Sequence, residues 1–237
     1  MNRRCNFTPR MLAGFIIALA AMRWGVASGQ TPEGEIRGRA TVTANDDLTE
    51  ELMRGRSLTR YTTHVHSSNE SVPPYRLSEK AVIYLESVPA GSAAYLLPET
   101  NPQLNQTQML FRPLVLAVLA GTAVDFPNND NLFHNVFSYS QPREFDLGRY
   151  HRGHRRSIYF DAPGVVKVYC DIHSYMYATI LVLENPYYTT PNDDGTYSIT
   201  GIPPGSYRLC FWYGRKKAET RPVTIEDGKT TFVNFEY

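Results

Sequence analysis

The chain has 237 residues, 42% of them apolar and 12% aromatic, and its formal net charge at pH 7 is +1. This length predicts one or two domains, and the apolar content excludes a chain that is disordered throughout. The mean hydropathy of −0.35 argues against an integral membrane protein, and the balanced charge offers no electrostatic basis for binding nucleic acid.

Residues 1–29 have the pattern of a secretory signal peptide. Arginines precede a short apolar run over residues 11–22, and the small residues Ala27, Ser28 and Gly29 follow it. A charged start, a short apolar middle and a small-residue exit are typical of export signals, and the run is short for a bilayer span. We therefore expect a periplasmic or secreted protein, with an uncleaved anchor as the alternative.

Beyond this segment, β-strand patterns dominate. One short helix is predicted over residues 46–56, and the polar stretch 57–79 is predicted to be a long loop or link. Short β-rich runs separated by Gly, Pro, Asn and Asp predict an all-β protein built as a sandwich or barrel. The predicted strands cover residues 35–43, 81–88, 114–119, 123–126, 135–139, 156–160, 165–170, 178–184, 197–200, 206–213, 221–226 and 230–237.

Two stretches carry potential metal ligands. The first, FPNNDNLFHNV, contains His134, and the second, VYCDIHSYM, contains Cys170, His173 and Met176. One thiolate, two imidazoles and a thioether are the ligand set of a blue-copper site, in which Met is a weak axial ligand. Cys170 is expected at the end of a strand, with His173 and Met176 on the loop that follows and His134 on a second loop at the same end.

These motifs resemble those of the cupredoxins of the plastocyanin and amicyanin type. The run GTAVDFPNNDNLFHNVFS is similar to the first ligand motif of that family, and FDAPGVVKVYCDIHSYM is similar to its closing motif. The resemblance implies a Greek-key β-sandwich over residues 100–185, with Asn135 tying the two ligand loops together by a hydrogen bond. It also implies one mononuclear type 1 copper, whose ligands would be His134, Cys170, His173 and Met176.

The same resemblance implies electron transfer rather than catalysis. The protein would relay single electrons between partners such as a cytochrome and a dehydrogenase, because copper nitrite reductases and oxidases need further copper ligands. Two other functions stay open: a copper-binding carrier, or a metal-free β-sandwich scaffold. The scaffold would be favoured if Cys170 formed a disulfide with Cys210, which an exported protein could do.

The C-terminal part, residues 186–237, has a different pattern. The run DDGTYSITGIPPGSYRLCFWY resembles the carboxypeptidase regulatory-like, or prealbumin-like, β-sandwich. In its last strand the alternation predicts one face with Tyr207, Leu209, Phe211 and Tyr213, and an opposite face with Cys210 and Trp212. Because about 50 residues are marginal for a separate domain, we expect the strands within residues 30–99 to complete this sandwich; the alternative is that they extend the cupredoxin sheet.

One basic segment is not explained by these motifs. Residues 149–156, RYHRGHRR, contain four arginines and two histidines. The functional interpretation is a docking patch for an acidic redox partner or an anionic lipid surface. The alternative is a solvated hairpin.

Overall fold

The computed structural model describes residues 33–43, 75–89 and 96–237. They form β-strands and one short helix, Leu77–Lys80, so the prediction of an all-β protein is confirmed. The predicted signal peptide (1–29), the predicted helix (46–56) and most of the polar stretch (57–79) lie outside the described residues. Within those residues, no helix is long and apolar enough to cross a membrane.

The strands are numbered in chain order. The first nine are β1 (Gly34–Thr41), β2 (Ala81–Leu85), β3 (Asn105–Thr107), β4 (Leu110–Arg112), β5 (Val115–Leu119), β6 (Thr122–Pro127), β7 (His134–Ser140), β8 (Arg143–Tyr150) and β9 (Arg155–Phe160). The others are β10 (Gly164–Tyr169), β11 (Tyr177–Leu183), β12 (Tyr188–Thr189), β13 (Thr196–Ile202), β14 (Gly205–Tyr213), β15 (Lys216–Ile225), β16 (Thr230–Phe232) and β17 (Phe235–Glu236).

The two upstream strands pair with strands of the C-terminal part. Strand β1 lies between β13 and β16 in one sheet and also pairs with β17, while β2 lies between β12 and β14 in a second sheet that ends with β15. These two sheets enclose an apolar core with Ile36, Ile83, Leu209 and Phe211 at its centre. Strands far apart in the chain therefore build one sandwich, and residues 96–185 lie between them in the sequence.

A second sandwich is formed by the intervening residues. Its larger sheet has the order β5-β11-β10-β7-β8, and its smaller sheet pairs β6 with β9. Between them lies a second core that includes Phe126, Val136, Phe160 and Ile180. Strand β7 is antiparallel to β10, so the start of β7 and the end of β10 meet at one end of this sandwich.

A third apolar core joins the two sandwiches. It contains Val82, Leu181 and Trp212 from facing sheets. Strand β11 is buried along its whole length, since its alternate side chains enter the second core and this third core. We call this third core the seam. Beside it the Lys167 ammonium lies 5.0 Å from the Trp212 ring centroid and donates to Thr179 Oγ1 at 3.0 Å. Burial lowers the pKa of Lys167 to about 8.

The alternation predicted for β14 is confirmed. Tyr207, Leu209, Phe211 and Tyr213 lie in the first core, whereas Cys210 and Trp212 lie in the third. Neither face of β14 is therefore solvent-facing.

The predicted strands do not include β8 or the hairpin of β3 and β4. Strand β8 alternates the half-buried Phe145 and Leu147 with charged residues, so it has too few apolar side chains for a strong strand pattern. The hairpin of β3 and β4 turns at Gln108 and Met109, which have φ of 54° and 55°. Without glycine there, the sequence lacks the usual signal for a turn with two positive φ angles.

Candidate metal centre

The fold brings three of the predicted ligands together. His134 is the first residue of β7 and Cys170 follows the last residue of β10, so both stand where these paired strands meet. His173 lies three residues further, on the ligand loop, which we define as residues 170–176. His134 and Cys170 are buried, at 0% and 3% exposure, and His173 is half-buried.

The donor atoms of these residues face one another. The Nδ1 atoms of His134 and His173 are 3.0 Å apart, and Cys170 Sγ lies 4.0 Å from the first and 3.9 Å from the second. Among the described residues, these three form the group of His, Cys and acidic side chains that could hold a metal ion.

The size of this triangle fits a single metal ion. The point equidistant from atoms separated by 3.0, 4.0 and 3.9 Å lies about 2.1 Å from each of them, close to typical metal distances of ~2.0–2.1 Å for imidazole nitrogen and ~2.3 Å for thiolate sulfur. Two imidazoles and one thiolate are three of the four ligands of a blue-copper site.

The fourth predicted ligand, Met176, closes the ligand loop. It is fully buried in the core of the second sandwich. Its backbone N–H donates to the His173 carbonyl at 2.9 Å, and its carbonyl accepts from the Cys170 N–H at 3.3 Å. These two bonds hold the loop in a compact turn; the Met176 sulfur as an axial ligand remains a prediction.

A carboxylate that the sequence analysis did not single out completes the environment of His134. Asp130 Oδ2 lies 2.9 Å from His134 Nε2, the ring nitrogen directed away from the other donors. The same carboxylate accepts the backbone N–H groups of Gln108 and Met109 at 2.6 and 2.8 Å. The sequence contained one sign of this contact: Asp130 lies four positions before His134, a candidate ligand.

This contact fixes both the orientation and the tautomer of His134. A carboxylate bound to Nε2 keeps a proton on that nitrogen, so Nδ1 is the nitrogen that would bind a metal once it has lost its own proton. Burial raises the pKa of Asp130, but the hydrogen bonds from His134 and from the two backbone amides outweigh it and hold the pKa below its usual value. Asp130 is therefore an anion at neutral pH.

Cys170 and His134 carry opposite charges before any metal binds. Burial raises the pKa of Cys170, but hydrogen bonds from His134 and His173 and from backbone amides, including that of Asn135, lower it to about 6. Burial lowers the pKa of His134, but its bonds with Asp130 and Cys170 raise it to about 9. At neutral pH the metal-free site thus contains a thiolate beside an imidazolium, and the thiolate is the form that ligates metals.

Asn135 lies at the predicted position between the two ligand segments. Its backbone amide donates toward Cys170, and the residue is 4% exposed. Its side-chain Oδ1 has no hydrogen-bond partner among the described residues. The contact between the segments is thus made by the Asn135 backbone, and the predicted role of its side chain stays a prediction.

A disulfide between Cys170 and Cys210 is absent among the described residues. Both are free, buried thiols, and they lie in different cores, Cys170 in that of the second sandwich and Cys210 in the third core. Cys210 Sγ instead contacts Thr220 Oγ1 at 3.4 Å. Cys170 is thus available as a ligand.

Comparisons with known proteins yield partial likenesses to copper proteins. No protein-family profile matches the chain, and no curated protein matches it. A Cu-containing nitrite reductase from Thermus scotoductus is 29% identical over 41% of this chain and 25% of its own, with a TM-score of 0.36. The chain therefore spans about a quarter of that protein's length.

Two smaller proteins are also similar. A purple cupredoxin from Nitrosopumilus maritimus is 24% identical over 35% of this chain and 99% of its own, with a TM-score of 0.32. An amicyanin variant in the Cu(I) form is 21% identical over 44% of this chain and 98% of its own, with a TM-score of 0.34.

Proposed function

We propose that this protein is an exported type 1 copper protein that relays single electrons between redox partners. The observation that carries the proposal is the convergence of Cys170 Sγ with the Nδ1 atoms of His134 and His173 at 3.0–4.0 Å. Two imidazoles and a thiolate in a trigonal arrangement, with a Met on the same loop, are the donor set of blue-copper sites.

The residues present suit a one-electron metal. Copper bound there would supply the Cu(II)/Cu(I) couple; the thiolate of Cys170 favours the reduced ion, and the imidazoles suit both states. Because His134 and Cys170 are anchored at paired strands, the protein would hold the donors in one arrangement throughout the cycle. Such a scaffold keeps the rearrangement on electron transfer small.

The two histidines would have different tasks. His134 is fully buried and held by Asp130, so its ring is inaccessible to a partner. His173 is half-buried, and we propose that its edge is the point of electron exit. The contact with a cytochrome or a dehydrogenase would form around Phe133 and Ser174, which are exposed; Tyr175, expected in the same patch from the sequence, is buried at 6% exposure.

We further propose that residues 30–99 and 186–237 form a carboxypeptidase regulatory-like sandwich, into which the copper domain, residues 100–185, is inserted. The pairing of β1 and β2 with C-terminal strands supports this division. Residues 1–29 would direct export to the periplasm or the exterior. The C-terminal sandwich would then serve as a platform packed against the copper domain.

The test is the visible spectrum of the protein after addition of Cu(II). We expect an intense thiolate-to-copper band that is lost in Cys170→Ser and retained in Cys210→Ser, the matched change at the other free, buried thiol. A colourless protein with reduced Cys170 would contradict the proposal and favour a Cu(I) carrier or a metal-free scaffold. Reversible voltammetry with copper retained in both states would separate an electron relay from a carrier.

A further inference from the structure

We propose that the turn connecting β8 to β9 is a docking surface for the acidic face of a redox partner protein; this inference rests on the proposed electron-transfer function. The two strands belong to different sheets, so this segment connects the sheets and is not the hairpin considered in the sequence analysis. The turn and the strand ends beside it include six basic side chains, all on exposed residues. We call this set the basic turn, and its members are Arg149, His151, Arg152, His154, Arg155 and Arg156.

The basic turn is attached to the segment that precedes His134. The ring of His151 lies 5.0 Å from that of Phe133, centroid to centroid. Arg152 Nη1 donates to Asn131 Oδ1 at 2.8 Å, and two backbone hydrogen bonds of 2.9 Å link Asn128 to the turn. The basic turn is therefore held in place beside the metal-ligating end of the sandwich.

It is also attached to the ligand loop. Arg149 Nη2 forms an ion pair of 3.0 Å with Asp171 Oδ2, and Asp171 stands between Cys170 and His173 in the sequence. The basic turn thus contacts both the segment that precedes His134 and the ligand loop that carries Cys170 and His173. A protein bound to it would lie next to His173, the proposed point of electron exit.

Part of its positive charge is uncompensated. Arg149 is paired with Asp171, and Arg155 Nη1 lies 3.3 Å from Asp125 Oδ2. Arg152 instead bonds to an amide, and its neighbour Arg156 lies over the Tyr150 ring, 5.0 Å from its centroid.

Neither Arg152 nor Arg156 has a carboxylate partner among the residues that the structure describes. Both arginines are on exposed residues, and the ring of Phe133, which His151 contacts, is 56% exposed. Arginine and aromatic side chains are the residues enriched at protein interfaces, and unpaired charge of one sign speeds the encounter with an oppositely charged partner.

The observations favour a protein over a lipid surface. Stable electrostatic attachment to anionic lipid takes a cluster of about four to eight basic residues, whereas ion pairs leave two arginines unpaired here. An acidic protein face can use these two donors for bidentate carboxylate contacts. The geometry thus fits a carboxylate-bearing partner that binds briefly and leaves.

The experiment measures electron transfer from the reduced, copper-loaded full-length protein to two probes by stopped-flow spectroscopy. One probe is an acidic c-type cytochrome and the other a basic one, each at low and high ionic strength. The test variant is Arg152→Gln/Arg156→Gln. The control, Lys216→Gln/Lys229→Gln, removes the same charge from exposed positions in the C-terminal sandwich.

We expect the rate constant with the acidic cytochrome to fall as salt rises, and to be about tenfold lower in the Arg152→Gln/Arg156→Gln variant at low salt. The control should stay within about twofold of the parent protein, and the basic cytochrome should react slowly with all three. Equal rates for the test and control variants, or faster reaction with the basic cytochrome, would overturn the inference. Sedimentation with phosphatidylserine vesicles that requires Arg152 and Arg156 would overturn it in favour of a lipid surface.

These outcomes are separable from failure of the proposed function. A protein without the thiolate-to-copper band, or one that does not cycle at an electrode, would contradict the copper relay itself. A protein that cycles at an electrode, with unchanged spectra in both variants but no dependence on Arg152 and Arg156, would contradict only the docking surface.

Discussion

The contact between Asp130 and His134 makes the sharpest test of how this site is built. We consider Asp130→Asn, which removes one negative charge and preserves the shape of the side chain. In the parent protein this carboxylate accepts His134 Nε2–H at 2.9 Å and two backbone amides. The variant has one acceptor oxygen in place of two, so it loses the negative charge together with at least one of these three hydrogen bonds.

The size of the effect follows from the geometry. The carboxylate is separated from the metal position by one hydrogen bond and one imidazole ring, a distance of roughly 6–7 Å. At an effective dielectric constant of ~20, a unit charge at that distance contributes about 2.5 kcal/mol, which corresponds to roughly 100 mV for a one-electron couple. The negative charge stabilises Cu(II) more than Cu(I), so its removal raises the reduction potential.

Two measurements test this reasoning. Voltammetry of Asp130→Asn should give a potential higher by some tens of millivolts, up to about 100 mV, and chelator competition should give a Cu(II) affinity lower by about 10- to 100-fold. The matched control is Asp146→Asn, at an exposed carboxylate that also accepts a backbone amide. If both variants leave potential and affinity unchanged, Asp130 only supports the turn at Gln108 and Met109 and the reasoning is wrong.

Further predictions concern protons, the axial ligand and the seam. The pKa of Cys170 is about 6 and that of His134 about 9, so the Cu(II) affinity should rise about tenfold per pH unit between these values, because His134 must lose a proton to bind the metal. Below pH 6 the affinity should change more steeply with pH, because Cys170 must also lose a proton. Calorimetry in buffers of different ionisation enthalpy measures the protons released, and no proton release at pH 7.5 would contradict this prediction. Met176→Leu should keep the visible band, cost less than about 1.5 kcal/mol in unfolding free energy and shift the reduction potential; an unshifted potential in voltammetry would assign Met176 to the core alone. Trp212→Ala should lower the unfolding free energy by about 3–5 kcal/mol. In urea, the copper band and the β-sheet circular dichroism should be lost together in one transition. Two separated transitions would show that the seam does not couple the sandwiches.

Local pattern was enough for the metal motif and for the faces of several strands. Cys170, His173 and Met176 lie within seven residues, so their proximity depends on one loop, and the donor types alone point to copper. The two faces of β14 were also predictable, because side chains alternate along any strand. These features depend on neighbours in the chain.

Other features depend on which distant segments bury each other. The Asp130 carboxylate is held at the site by the backbone N–H groups of Gln108 and Met109. These two residues form a turn with positive φ angles that contains no glycine, so the sequence gives no sign of it. The sequence left two interpretations open for the basic turn, a docking patch or a solvated segment, and only its contacts with Asn131 and Asp171 place it beside the ligand loop.

The third core is the clearest case of a feature that the local sequence pattern does not predict. An apolar run such as that of β11 indicates burial on both faces, yet it does not specify the covering sheet. That sheet is assembled from β2 and β14, more than a hundred residues apart in the chain. The free energy of burying Trp212 and Leu181 together selects this arrangement, and an interaction between distant apolar faces leaves no local pattern in the amino-acid sequence.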